Sequence, residues 1–171
     1  GNNIRNSKKF DADTYRLVLD YVMNDDVMLY FSFATGFVAG GFSETCGSPT
    51  SCGAYDSEEN ENFELGIKSD LLNGQLRLNA AIFNTKYENL QRDTVITVKD
   101  AAGNTFQETI SANEGDTTAT GAEVEITWVP ESNFRVDAHI GYLNHEYDSY
   151  EPIPGSDYSN LETPFSPKWN G

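Results

Sequence analysis

The chain has 171 residues, 38% of them hydrophobic and 12% aromatic, and carries a formal net charge of -16. That length suits one domain, and the acidity argues against nucleic acid and anionic headgroups as partners of the chain as a whole. No stretch approaches the ~18 consecutive apolar residues of a transmembrane helix, but this excludes helical spans only, because a barrel strand crosses with ~9 to 11 alternating residues.

The opening GNNIRNSKKF lacks an apolar run and is not a signal peptide. A removed export signal or an internal piece are the two readings of that start. From Thr14 to Met23, Tyr15, Leu17, Leu19 and Tyr21 alternate with Arg16, Val18 and Asp20. A period of two marks a β-strand, because successive side chains leave opposite sides of the pleat. Asn24-Asp25-Asp26 then supplies a tight reversal. The next run, VMLYFSFATGF (27–37), puts Val27, Leu29, Phe31, Phe33, Thr35 and Phe37 on one face and Met28, Tyr30, Ser32, Ala34 and Gly36 on the other.

A polar loop from about Gly40 to Glu59 follows, holding Cys46 and Cys52 among Gly, Pro, Ser and Thr. The two are candidates for a disulfide closing the loop, which would imply an oxidising compartment. A metal pair is the alternative, and it lacks the further ligands of a four-coordinate site.

The run ENFELGIKSDLL (61–72) sets Phe63, Leu65, Ile67, Ser69 and Leu71 against Glu64, Gly66, Lys68 and Asp70. Asn73-Gly74 is the strongest two-residue hairpin signal in the chain, since both residues tolerate positive φ. Beyond it Leu76, Leu78, Ala80 and Ile82 oppose Gln75, Arg77, Asn79 and Ala81, and the pattern blurs after Phe83. That blur predicts a bulge or emergence from an apolar layer. Two β-prone runs between residues 92 and 112 predict a polar hairpin tip around 101–104. GAEVEITWVP (121–130) and FRVDAHIGYL (134–143) then form another alternating pair, with a turn over Pro130 to Asn133. A loop from about Asp148 to Pro164 leads to PFSPKWNG, which reads as the beginning of one more strand.

Six alternating segments thus share one apolar and one charged face, with short turns and long polar loops taken in alternation. Alternation alone also fits a soluble sandwich. The asymmetry of the connections favours an outer-membrane barrel, with Tyr15, Tyr21, Tyr30, Trp128, Phe134 and Tyr142 as interfacial aromatics or as ordinary cross-strand pairs.

Residue identities add to the pattern. LYFSFATGFVAGGF (29–42), NFELGIKSDLLNGQLRLNAAIFNTKYENLQ (62–91), TGAEVEITWVPESNFRVDAHIGYLNHEY (120–147) and PFSPKW (164–169) together resemble the barrel of TonB-dependent outer-membrane receptors. The resemblance covers residues 13 to 169 in order. It implies an all-β, antiparallel transmembrane barrel segment: about 6 to 8 strands from the C-terminal half of a 22-stranded barrel in the bacterial outer membrane. On this reading residues 1–171 are a partial barrel domain, without the plug domain, the TonB box or the terminal strand. The implied function is energised uptake of a scarce ligand: a ferric siderophore, haem, cobalamin or a glycan. The implied partners are the TonB complex, acting through the plug, outer-membrane lipid and the small-molecule or metal-chelate substrate, with no nucleic acid. Ligand contact is expected at the outer loops, around 43–57, 92–118 and 148–163, where Tyr55, Tyr150 and Tyr158 are candidate stacking residues.

No enzyme, cofactor or metal site is expected. His139 and His145 share a face but lack a third ligand, and they read as polar groups of the barrel lumen. Asp25-Asp26, Asp56 with Glu58 and Glu59, and Glu114 with Asp116 lack the ligand spacing of a calcium loop. Nothing supplies a nucleophile elbow. Glu123 and Glu125 are expected to face Arg135 across their hairpin. Two other classes remain alongside the transporter: a secreted acidic β-sandwich binding glycan or calcium, and a barrel hydrolase.

Overall fold

The computed structural model describes residues 7–43, 53–99, 102–151 and 155–171. Its regular structure is entirely β. The strands are β1 (Arg16–Asn24), β2 (Val27–Val38), β3 (Gly41–Phe42), β4 (Ala54–Tyr55), β5 (Glu58–Leu71), β6 (Leu76–Glu88), β7 (Gln91–Lys99), β8 (Thr105–Asn113), β9 (Asp116–Glu131), β10 (Phe134–Ser149) and β11 (Trp169–Asn170). Seven of them make one antiparallel sheet in the order β1-β2-β5-β6-β9-β10-β11, while β3-β4 and β7-β8 are small hairpins set into the long connections. Each long strand therefore lies beside the next long strand in sequence, an up-and-down meander in which tight turns alternate with long connections.

The turns follow their residues. At Asn73 and Gly74 φ is +56° and +82°, and the Gln75 N–H donates to the Leu72 carbonyl at 3.2 Å, as a primed turn requires. Leu72 is also left-handed, at +54°. The last turn is shorter than expected: β9 runs through Pro130 to Glu131, which pairs with Phe134.

The blur after Phe83 is an emergence and not a bulge. β5 and β6 pair without a break from Leu71↔Leu76 to Glu59↔Glu88. What changes is chemistry: on the face of Leu76, Leu78, Ala80 and Ile82, the next residues are Asn84, Lys86 and Glu88. The register aligns this change across strands, with Asn84 beside Thr120 and Thr120 beside Asn144. Below that level the face is predominantly apolar, broken on β5 by Ser69, whose hydroxyl donates to the Leu78 carbonyl at 2.7 Å; one row sets Leu19, Phe31, Leu65, Ile82, Ala122, Tyr142 and Trp169 side by side. On β5 the apolar face runs from Phe63 to Leu71, about 26 Å along the strand and about 20 Å high at barrel tilt.

This face has no cover. Leu65 is 52% and Ile82 58% exposed, and among the described residues only Val98, Ala119 and Tyr147 are buried hydrophobics. A sandwich would have filled such a face with a second sheet. Rings on it pack with each other, Phe33 on Phe63 at 4.7 Å, Trp128 against Phe134 at 6.4 Å and Tyr142 on Trp169 at 4.9 Å.

Two expectations for the polar face need correction. Tyr30 is not an interfacial aromatic, because even positions of β2 point away from the apolar side; its hydroxyl donates to Glu64 Oε1 at 2.6 Å. Glu123 and Glu125 do not face Arg135, since they pair with Gly141 and His139. Arg135 lies at the turn end of β10, at the register shift between Phe134 and Val136, and bonds Asp137 of its own strand at 2.7 Å. Glycines make room on this side: a Cβ on Gly66 would lie 2.4 Å from the Tyr30 ring, and one on Gly121 2.4 Å from the Phe83 ring. Aromatic rings laid over strand glycines in this way pin the register.

Candidate functional site

The long connections all leave the same end of the sheet and tie themselves together there. Where β6 passes into the β7–β8 hairpin, Asn89 turns left-handed at φ +55°, and Leu90 exchanges hydrogen bonds with Gly115 and Glu114 at 2.9 and 2.8 Å. The hairpin is thus an extension of β6 and β9 beyond the apolar rows, as the β-prone runs suggested. Its base holds the preceding loop. Gln91 Nε2 donates to the carbonyls of Val38, Ala39 and Asp56 at 3.3, 3.1 and 3.1 Å. Asn113 accepts from the Asp56 N–H at 2.6 Å and donates to the Asp56 and Asn89 carbonyls at 2.9 and 2.8 Å.

On the other side, residues 158–170 run beside the outer half of β10 as a broken strand. The Asn160 N–H donates to the Tyr147 carbonyl (2.7 Å), Tyr147 N–H to Leu161 (3.0 Å), Thr163 N–H to His145 (2.9 Å) and Leu143 N–H to Lys168 (2.9 Å). The result is a rim of hydrogen-bonded loop backbone.

Within it lies an aromatic cluster. Tyr147, only 4% exposed, stacks on Tyr150 at 4.5 Å and 16°, and Tyr150 meets Tyr158 at 6.2 Å. The Arg92 guanidinium lies 5.5 Å from the centre of the Tyr147 ring. His145, below, sits 6.4 Å from the Tyr87 ring, its two ring nitrogens at 3.2 and 3.3 Å from the hydroxyls of Thr117 and Ser166. The Tyr150 hydroxyl points to Glu114 at 3.5 Å. Burial, with Glu114 nearby, raises the Tyr150 phenol above its ordinary pKa, so it stays a neutral donor. Asp157 is held below the usual carboxylate range by its hydrogen bonds from Ser159. Tyr150, Glu114, Glu151, Asp157 and Ser149 line a cleft of about 770 Å³, within the range of small-molecule sites.

Of the residues singled out in the sequence, Tyr150 and Tyr158 are brought together here. Tyr55 is elsewhere, with its ring over Gly41 in the β3–β4 hairpin. Cys46 and Cys52 lie outside the described residues. Tyr147 and Arg92 were not singled out. Extending the alternation through NHEYDS puts Tyr147 on the inner face with His145, a signal that was available; nothing in the sequence places Arg92 against it. Among the described residues no group of three or more His, Cys, Asp or Glu side chains is arranged to hold a metal ion. The site offers stacking faces, one guanidinium and acidic acceptors, a chemistry of binding.

Comparison with known proteins agrees with this architecture. The family model described as "TonB dependent receptor-like, beta-barrel" matches residues 1–171. The metal-pseudopaline receptor CntO of Pseudomonas aeruginosa is 25% identical over 142 residues, 83% of this chain and 18% of CntO. Among solved structures, the siderophore receptor PiuA of Acinetobacter baumannii aligns with a TM-score of 0.65 at 25% identity, over 91% of this chain and 22% of PiuA. The ferric yersiniabactin uptake receptor FyuA of Yersinia pestis aligns at 0.67 and 22% identity, over 90% of this chain and 21% of FyuA. The chain spans about a fifth of the length of these relatives.

Proposed function

The chain belongs to the TonB-dependent receptor-like β-barrel family and lies in the bacterial outer membrane, and from that premise we propose that it forms part of the wall and mouth of a receptor that imports a metal chelate. The observation that carries the proposal is the two-faced sheet. Its uncovered apolar face meets lipid at one height across seven strands, its polar face lines the lumen, and its long connections gather into an aromatic rim at one end. Such a wall has use only when closed, because open strand edges in a bilayer leave backbone groups unpaired. The named receptors that it resembles take metal-pseudopaline, siderophores and ferric yersiniabactin, which supports a chelate over a glycan or haem.

In this account, the loop tyrosines capture the chelate, and energy reaches the lumen through TonB acting on a plug. The test is uptake of radiolabelled iron and nickel chelates by cells with and without the full-length gene, with and without TonB. Uptake that needs both genes is expected. Uptake unchanged by deletion of the gene under metal restriction, across the chelates offered, would remove the proposal.

A further inference from the structure

We infer that Arg92 is the anion-receiving group of this mouth, taking a single free carboxylate of the imported chelate while the tyrosine stack holds the rest of the molecule. The inference rests on the receptor reading above and names the substrate class within it. It starts from charge pairing. In a chain of net charge -16, six of the described cations, Lys8, Lys9, Arg77, Lys86, Arg135 and Lys168, each have a carboxylate within ion-pair distance. Arg16, Lys68, Arg92 and Lys99 have none among the described residues, and of these four Arg92 is the one that lies against Tyr147 in the aromatic cluster of the mouth. Its cross-strand neighbour is Ala112, and its recorded side-chain partner is the face of Tyr147.

Among the described residues the guanidinium's edges have no carboxylate partner. A ring beneath the cation satisfies its charge in part, but the five N–H donors point outward in the plane of the fork, the geometry that matches a carboxylate with two parallel hydrogen bonds. Arg92 is half-buried, so its donors have lost part of their water. Tyr147 in turn cannot tilt away. It is buried, stacked on Tyr150 and bonded through its backbone to Asn160 and Leu161. The guanidinium therefore rests on a fixed platform, which lowers the entropy cost of receiving a ligand group.

The neighbourhood also limits what arrives. Glu114, Glu151 and Asp157 line the adjoining cleft, and a polyanion entering it would meet their repulsion. The ligand that fits carries one anionic group for Arg92, is otherwise neutral or cationic, and presents flat or apolar surface to Tyr150 and Tyr158.

The experiment uses the full-length receptor in detergent and two metal-binding cores, a ferric trihydroxamate and a ferric phenolate. Each is made as a free monocarboxylic acid and as its primary carboxamide, and binding is followed by quenching of intrinsic fluorescence. For a core that binds, the wild type should prefer the acid by about tenfold. Arg92→Gln should abolish the preference while still binding the carboxamide, and Arg92→Lys, with charge but no fork, should keep part of it. Acid and carboxamide binding equally to the wild type, or a preference that survives Arg92→Gln, would overturn the inference and leave the receptor reading intact. Failure of the wild type to bind either core in any form would overturn both.

Discussion

Asn113 is the residue through which two outer loops are joined, so its removal gives a quantitative test of the rim. Its side chain makes three bonds to main-chain groups, accepting from Asp56 N–H at 2.6 Å and donating to the carbonyls of Asp56 and Asn89 at 2.9 and 2.8 Å. Each such bond contributes about 1 kcal/mol net. Gln91 Nε2 also reaches the Asp56 carbonyl at 3.1 Å, so that acceptor is not orphaned, and Asn113→Ala should cost roughly 2 kcal/mol of local stability. Converted to an opening equilibrium this is a factor of about 30. Hydrogen exchange of the full-length receptor, read by mass spectrometry, should show residues 53–58 exchanging faster by about that factor in Asn113→Ala. Residues 62–71 in the wall should not change. Asn113→Asp, which keeps an acceptor but loses both donors, should fall between. Exchange at 53–58 equal to the wild type would show that the bonds do not hold the loop.

Two further predictions concern the wall. Gly66→Ala should displace the Tyr30 ring and weaken its bond to Glu64, lowering unfolding stability in denaturant by about 1 to 2 kcal/mol; in a Tyr30→Leu background the same change should cost much less, and equal costs in both would deny the coupling. The isolated 171-residue chain, with two open strand edges and an uncovered apolar face, should aggregate in buffer without detergent. A sharp, reversible melt of a soluble monomer would contradict that.

The wall was legible in the sequence because its determinants are local. Alternation from Val27 to Phe37 or Phe63 to Leu71 states which side each residue takes, Asn73-Gly74 states where the chain reverses, and a meander joins what is adjacent in sequence. Even PFSPKW, read as the beginning of a strand, ends in Trp169 paired with Tyr142. Errors arose where residue type was read ahead of position. Arg135 sits at the turn end of β10, whereas Glu123 and Glu125 pair further along it with Gly141 and His139, and Tyr30 sits on an inward position despite being aromatic. The mouth was less legible. Arg92 and Tyr147 meet because a left-handed Asn89 aims the β7–β8 hairpin and because residues 158–163 brace β10, neither of which has a periodic signature. Tyr150 and Tyr158 were chosen for chemistry alone, as was Tyr55, which packs within its own hairpin.

The central claim is that odd and even positions of each long strand face different solvents. Nitroxide labels placed singly at residues 76 to 83 of β6, in the full-length receptor in bilayers with Cys46 and Cys52 replaced by Ser, test it directly through collision with oxygen and with a water-soluble nickel complex. Labels at 76, 78, 80 and 82 should collide with oxygen in preference to nickel, and those at 77, 79, 81 and 83 should not, giving a period of two. A period of two with the opposite phase, or uniform access of nickel at all eight positions, would contradict a lipid-facing wall.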